Sequence, residues 1–452
     1  MASDLTPSDL GTTLLQTFYS VLTTGTSTAG TYLSYIDGGS AFTANDLAFL
    51  TDLSWMSSAN PKRSHLSVPE LLQAAHNFMS VVDSIPPAVG TWVHTDATVG
   101  SIYQNVFLGQ GNAASPQVDD GALKAAQSTI KQDQAQYIRY RNSYTNAVSR
   151  HNALNSRRPP ASESELTEAA AAVSDALSDW QDLGNKAEYE AAEGVLANAS
   201  TGFAEYLHDL VNLYTDYISN YALPDGTQFA PVMAIPPDFA TGNVQWNRFS
   251  FDSSSVTKTT SDTSSTVGGD LSAAAGLFLY SADTSGSGNW QAADISTSTL
   301  TVSFDYLVVD LDRSAWFDSI LLTSRAWWLN GMTAQDPTPP VVFSDGAPPP
   351  NTTGEWQMWA ESVIFIRNLT IDFGSENKQS AQDVMNLQEN AQVNFLIFPL
   401  AGETTDVTNS TTKFSYTSSD SAITAAQMQM MFFLCRLMPP EPNPLPDLLP
   451  QN

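Results

Sequence analysis

The chain has 452 residues, 42% of them hydrophobic and 10% aromatic, enough to bury a core without disulfides or metals. Eighteen basic residues face 47 acidic ones, giving a net charge of −29. Phosphate binding needs clustered Lys and Arg, so this balance excludes nucleic acid as a partner and makes an anionic membrane repulsive. Charged residues are only 14% of the chain, so its surface must be largely Ser, Thr, Asn, Gln and Gly. The single cysteine, Cys435, cannot form an internal disulfide, and its apolar neighbours at 430–438 point to a buried, inert thiol. The N-terminus has no basic stretch leading into an apolar one, and no run of eighteen apolar residues occurs. The expectation is synthesis in the cytosol without a signal peptide, any release being by lysis or a leaderless route.

Residues 1–118 read as a helical N-terminal region. Leu14, Leu15, Phe18, Val21 and Leu22 have helical spacing over 10–22. A second helix is predicted over 68–82, opened by a Ser67–Glu70 capping box, and a short element near 47–55. Residues 119–222 form a long antiparallel helical hairpin or bundle. Ala126, Ile130, Tyr137, Tyr140, Tyr144 and Val148 mark one face of its first helix. Ser162 and Glu165 box the start of the next, and a third segment runs over 189–221.

Residues 223–240 read as a linker, and a β-rich, sandwich-like domain follows over 241–438. Leu300, Val302, Phe304 and Tyr306 alternate with Thr301, Ser303 and Asp305, the mark of a half-buried strand. Strands are also predicted near 244–251, 363–371, 393–398 and 413–416. Residues 314–328 have helical spacing, with Ser314 as N-cap, and 427–438 fits strand or helix. A proline-rich loop covers 332–355 and a proline-rich tail covers 439–452. The predicted class is therefore α+β, a helical N-terminal part with a long hairpin followed by a sandwich-like part.

The most unusual stretch runs from Phe249 to Trp290. Eleven of the seventeen residues from Asp252 to Gly268 are Ser or Thr. After Gly268-Gly269, a suitable hairpin turn, the chain becomes small and apolar through Leu277, Phe278 and Tyr280. Hydroxyls cost much less to dehydrate than charges, so such a ribbon can be solvated in one setting and pair into a sheet in another. Ser255, Thr257, Thr259, Gly268, Gly269, Leu277 and Phe278 are the candidate membrane or assembly residues. Each arm has the roughly ten residues that a membrane strand needs, although Ser and Thr occupy both faces of the first. In composition, over about forty residues, the ribbon resembles the insertion hairpins of β-pore-forming toxins. That resemblance implies oligomerisation and insertion into lipid.

No catalytic signature accompanies it. The five histidines (His65, His76, His94, His151, His208) lack metal-ligand spacing. There is no nucleophile elbow and no phosphate-binding loop. Asp310 and Asp312 share a strand face and are the candidate cation ligands, while Asp305 should point away from them. Trp356 and Trp359, just after the proline-rich loop, are the candidate aromatic platform for a sugar or a lipid interface. The expected protein is non-enzymatic, needs no cofactor and self-associates, with a neutral lipid membrane or a glycan receptor as partner. The alternatives are a self-assembling structural protein that exchanges its tail and a glycan- or metal-binding module.

Overall fold

The computed structural model describes residues 7–23, 31–41, 68–85, 91–92, 97–104, 111–113, 121–156, 161–197, 203–235, 239, 244–255, 278–280, 299–322, 324–347, 352–375, 393–395, 398–399, 403–405, 411–413, 417–419 and 421–451. The chain is mixed α+β with a mainly antiparallel sheet. Helix α1 (Pro7–Thr23) buries Leu10, Leu14, Leu15, Phe18, Val21 and Leu22, the stripe that its spacing predicts. The N-terminal region is not only helical, however. Strand β1 (Thr31–Ala41) runs antiparallel to β16 (Gln429–Leu437), some 400 residues later, and parallel to β2 (Thr91–Trp92). The predicted capping box at Ser67 and the element at 47–55 lie outside the described residues.

Among the described residues, nine strands form the main sheet. Its axis is β9 (Met358–Asp372). On one side β9 pairs with β7 (Thr301–Asp312), which in turn pairs with β4 (Met233–Ile235) and β5 (Asn247–Asp252). On the other side β9 pairs first with β15 (Ala422–Ala425) and then with β16; β14 (Thr417–Ser419) flanks β15. The ambiguous 427–438 segment is thus a strand, because both of its faces are apolar and each has a partner to bury. Val302, Phe304, Tyr306 and Val308 of β7 face one core, and Leu307, Val309 and Leu311 face the other.

Among the described residues, helices supply most of the cover. The first core is covered by α1 and by Phe398 of a separate three-stranded sheet. The second is closed by α2 (Val68–Val82), α3 (Val99–Ile102), α7 (Phe203–Ile218) and the irregular segment 313–356. The helix predicted at 314–328 is corrected. This stretch holds a 3-10 turn (Ser319–Leu322) and strand β8 (Trp327–Leu329), which pairs with β3 (Gly111–Ala113). Trp316, Leu321, Trp327 and Leu329 are each at most 1% exposed; a helix lying on the surface would bury only one stripe of them.

The region predicted as a helical hairpin or bundle is helical, but its third segment, 189–221, is divided between a small separate core and the second sheet core. α4 (Gly121–Ser156) has 36 residues, about 54 Å at 1.5 Å per residue. α5 (Glu163–Asp182) opens with the predicted capping box: the Glu165 amide donates to Ser162 Oγ and the Ser162 amide donates to Glu165 Oε2. α6 (Lys186–Ala197) completes a small separate core of Ala126, Ile130, Tyr137, Tyr189, Ala192 and Leu196, with Tyr137 and Tyr189 stacked at 4.1 Å. The C-terminal half of α4 lies on the body. Asn152 donates to the Val21 carbonyl, and the Tyr306 hydroxyl donates to the Ser149 carbonyl.

The proline-rich tail does not stand free. The Ala334 amide donates to Pro450 O, the Leu445 amide to Arg325 O and the Phe343 amide to Glu441 O, while Leu449 is buried. Tail docking places Glu441 at 4% exposure, and burial pushes its carboxyl up to about 9, opposed by the Asn443 amide and Arg325. The folded state therefore holds a proton that the unfolded chain releases near pH 4.5. Between those two values stability falls as pH rises, by up to about 1.4 kcal/mol per unit. Glu441→Gln is expected to be more stable than the parent at pH 8 and nearly equal to it at pH 5. Denaturant unfolding at the two values checks this, and equal differences at both would refute it.

Candidate functional site

The Ser/Thr-rich ribbon is rooted in the main sheet. β5 and β7 pair in register from Asn247↔Tyr306 to Asp252↔Thr301, and just beyond them the Ser253 amide donates to the Leu300 carbonyl at 2.9 Å. The 46 residues 254–299 thus leave and rejoin the sheet at two hydrogen-bonded neighbours. Asp252 ends its strand with an Asx turn, its Oδ1 accepting from the Ser254 amide at 2.9 Å and from Ser254 Oγ at 2.7 Å. Ser255 closes the short 3-10 turn that follows. Phe278 opens β6 (Phe278–Tyr280), which pairs with β10 (Val393–Phe395), and β10 pairs with β11 (Phe398–Pro399). Thr257, Thr259, Gly268, Gly269 and Leu277 lie outside the described residues.

At this root the strand period sorts the side chains by face. On the inner face Phe249, Phe251, Val302 and Phe304 are buried. Phe18 of α1 plugs them, with ring centroids 4.9 Å from Phe249 and 5.2 Å from Phe304. On the outer face Arg248 pairs with Asp305 at 2.9 Å and donates to Ser303 Oγ at 2.7 Å. Asn368 donates to the other Asp305 oxygen at 2.7 Å, and the Arg367 guanidinium lies 4.2 Å over the Trp246 ring. Beside it, a cleft of about 200 Å³ lies between α4, α5 and β5, lined by Arg150, Glu165, Trp246 and Arg248. It is smaller than a typical ligand pocket.

The strand carboxylates Asp310 and Asp312 are each met by a neighbouring donor. Asp305 points away from Asp310, as the spacing predicts. Asp310 is buried and accepts a hydrogen bond from the Ser362 hydroxyl, while Asp312 Oδ1 accepts from the Ser314 amide at 2.8 Å. Each carboxylate is thus engaged in local structure, and among the described residues no group of three His, Cys, Asp or Glu could hold a metal.

The aromatic platform is corrected as well. Trp356 is fully buried and Trp359 is 7% exposed, the two in edge contact with each other. The Trp356 amide donates to the Phe343 carbonyl, drawing the loop back onto the body. Gly354 permits that approach. It has φ +122°, and a Cβ there would lie 2.1 Å from the Phe343 oxygen. Cys435 is buried as expected, its thiol pushed up to about 12 by burial despite the hydrogen bond it makes to Ser34.

A group of charges that the sequence did not announce lies where α4 and α6 meet the sheet. Burial opposes the charge of Arg141, but Glu361 and Asp310 outweigh it and raise its pKa. Burial raises Asp310 to about 6. Burial, with Asp318 and Glu190, raises Glu193 to about 7. Arg436 pairs with Glu361 at 2.7 Å. Acids whose folded pKa is raised bind protons more tightly in the folded state, so these two favour the docked helices as pH falls from 7. Among the described residues no helix is long and apolar enough to cross a membrane. No protein-family model, curated protein or solved structure matches this chain.

Proposed function

We propose that this chain is a non-enzymatic, membrane-active or pore-forming protein whose Ser/Thr-rich ribbon inserts into lipid or assembles with ribbons of neighbouring copies. One observation carries the reading: the ribbon issues from two adjacent, in-register antiparallel strands, Asp252 opposite Thr301. Once the Asx turn at Asp252 and the 3-10 turn after it open, such a chain can extend the same ladder outward. A closed barrel of such hairpins satisfies every backbone group, which lipid requires. The first arm carries hydroxyls on both faces, which tolerate water and a sheet alike, and the second carries consecutive small apolar residues, so neither arm alternates as an ideal barrel strand does.

The test is dye release from phosphatidylcholine vesicles, with electron microscopy of the same protein with and without lipid. Release together with ring-shaped particles found only on lipid is the expected result. No release, with ordered particles already present in buffer, would overturn the proposal in favour of a self-assembling structural protein.

A further inference from the structure

Helices α4 and α5 carry charge patterns that mirror each other. α4 holds five cations and one acid, so it is positive in a chain whose net charge is −29, whereas α5 holds six acids and no cation. With about 100° of rotation per residue, Lys124, Ser128, Lys131, Ala135 and Arg139 fall within about 80° of one another on α4, and all five are exposed. On α5, Glu168, Ala171, Asp175, Ser178 and Asp182 fall within a similar arc and are exposed too. Each face therefore alternates charged and small residues. At 1.5 Å per residue the charges are spaced about 10.5 and 12 Å apart on α4 and about 10.5 Å apart, twice, on α5. The one acid of α4, Asp133, lies on the opposite side of its helix and accepts from Asn185 at 2.9 Å.

The two faces do not pair with each other inside one copy. Ala126, Ile130 and Tyr137, the core positions of α4, lie on the side away from its cations, and Ala169 and Trp180 lie off the acidic arc of α5. Among the described residues no ion pair engages Lys131, Arg139, Glu168, Asp175, Asp179 or Asp182. Several of these charges also oppose their own helices. Asp175 and Asp179 repel each other one turn apart. Asp179 and Asp182 stand in the last turn of α5, which has no base, at the negative end of the helix dipole. Lys124 stands in the first turn of α4, which has no acid, at the positive end. A neighbour relieves all of this at once. With α4 of one copy antiparallel to α5 of another, Lys124 meets Asp182, Lys131 meets Asp175 and Arg139 meets Glu168. The small residues between them leave room for close approach.

We infer that copies of this chain associate head to tail, the basic face of α4 in one copy seated on the acidic face of α5 in the next. Such a contact is heterologous, so the series can grow or close into a ring. It goes beyond the function proposed above and does not rest on it, because the contact forms in buffer without lipid. At physiological ionic strength the screening length is about 8 Å, so the distant negative surface of each copy is muted while touching charges are not. Exposed ion pairs are individually weak, and the association is accordingly reversible and dependent on protein concentration.

Zero-length carbodiimide cross-linking of a mixture of isotopically light and heavy full-length protein tests the contact. Lys131–Asp175 and Lys124–Asp182 cross-links that join a light chain to a heavy one are expected; their absence at both pairs would overturn the inference. Charge reversal gives a second reading. Lys124→Glu/Lys131→Glu/Arg139→Glu and Glu168→Lys/Asp175→Lys/Asp182→Lys are each expected to weaken self-association at least tenfold in sedimentation velocity at about 0.15 M salt. Mixed with each other, the two variants are expected to associate again, although both remain strongly negative overall, and that recovery would also show that both are folded. Self-association of either variant at the parent's level would overturn the contact. So would a mixture that stays monomeric while both variants keep the parent's circular dichroism.

Discussion

Arg313→Met is expected to destabilise the protein by about 3–5 kcal/mol, the cost of leaving one partner of a buried ion pair alone. Arg313 follows directly on β7 and is 5% exposed, and its Nε lies 2.7 Å from Asp83 Oδ1. The guanidinium also donates to the Ala360 and Val82 carbonyls. Asp83 is fully buried at the end of α2 and accepts a second bond from the Gly100 amide at 2.9 Å. This one cation therefore joins β7, β9, α2 and α3. Burial already raises the Asp83 carboxyl above its usual range despite the arginine; without Arg313 it would rise further. A carboxyl so raised contributes stability that is lost as pH rises above the unfolded value, so the penalty should be larger at pH 8 than at pH 5. Chemical denaturation at the two values measures it. A loss under about 1 kcal/mol at pH 8 would show that Asp83 finds other partners. Asp83→Asn in the same background should recover part of the loss.

Phe18→Ala is expected to cost about 3–5 kcal/mol, the range for truncating a fully buried phenylalanine. Its ring touches Phe249, Phe304, Tyr306 and Phe432 at centroid distances of 4.9 to 5.2 Å. Four aromatic walls cannot all close on an alanine, so a cavity should persist. The damage should also be local. Amide hydrogen exchange is expected to quicken across β5 and β7, where Phe249 and Phe304 lose their plug. It should stay unchanged in α5, which belongs to the separately packed hairpin. Uniform acceleration across the chain would mean that the root of the ribbon has no independent clamp.

What the sequence disclosed was local. The stripe of α1, the Ser162–Glu165 box and the alternation in β7 depend on neighbours a few residues apart, and the structure has all three. β1 escaped notice because Thr31–Ala41 gains its meaning from β16, hundreds of residues away, and because Asp37, Gly38 and Gly39 break its alternation. The 314–328 segment misled because apolar residues buried on every side can fall on helical spacing by chance. Trp356 and Trp359 misled for a different reason. A tryptophan beside a proline-rich loop is exposed or buried according to whether the loop folds back, and Gly354 decides that through one close approach to Phe343. The ribbon was visible from its hydroxyl content.

Cys435 has a practical consequence. It sits in the middle of β16, opposite Tyr32 on one neighbouring strand and Ala360 on the other, with no surface exposed. A thiol reagent can reach it only when the packing over that part of the sheet opens. The rate of modification in native buffer is then a stopwatch for that event, separate from fraying at the ribbon or the helical hairpin. Run with and without vesicles, the same stopwatch would tell whether the middle of the sheet stays shut while its far edge changes partners.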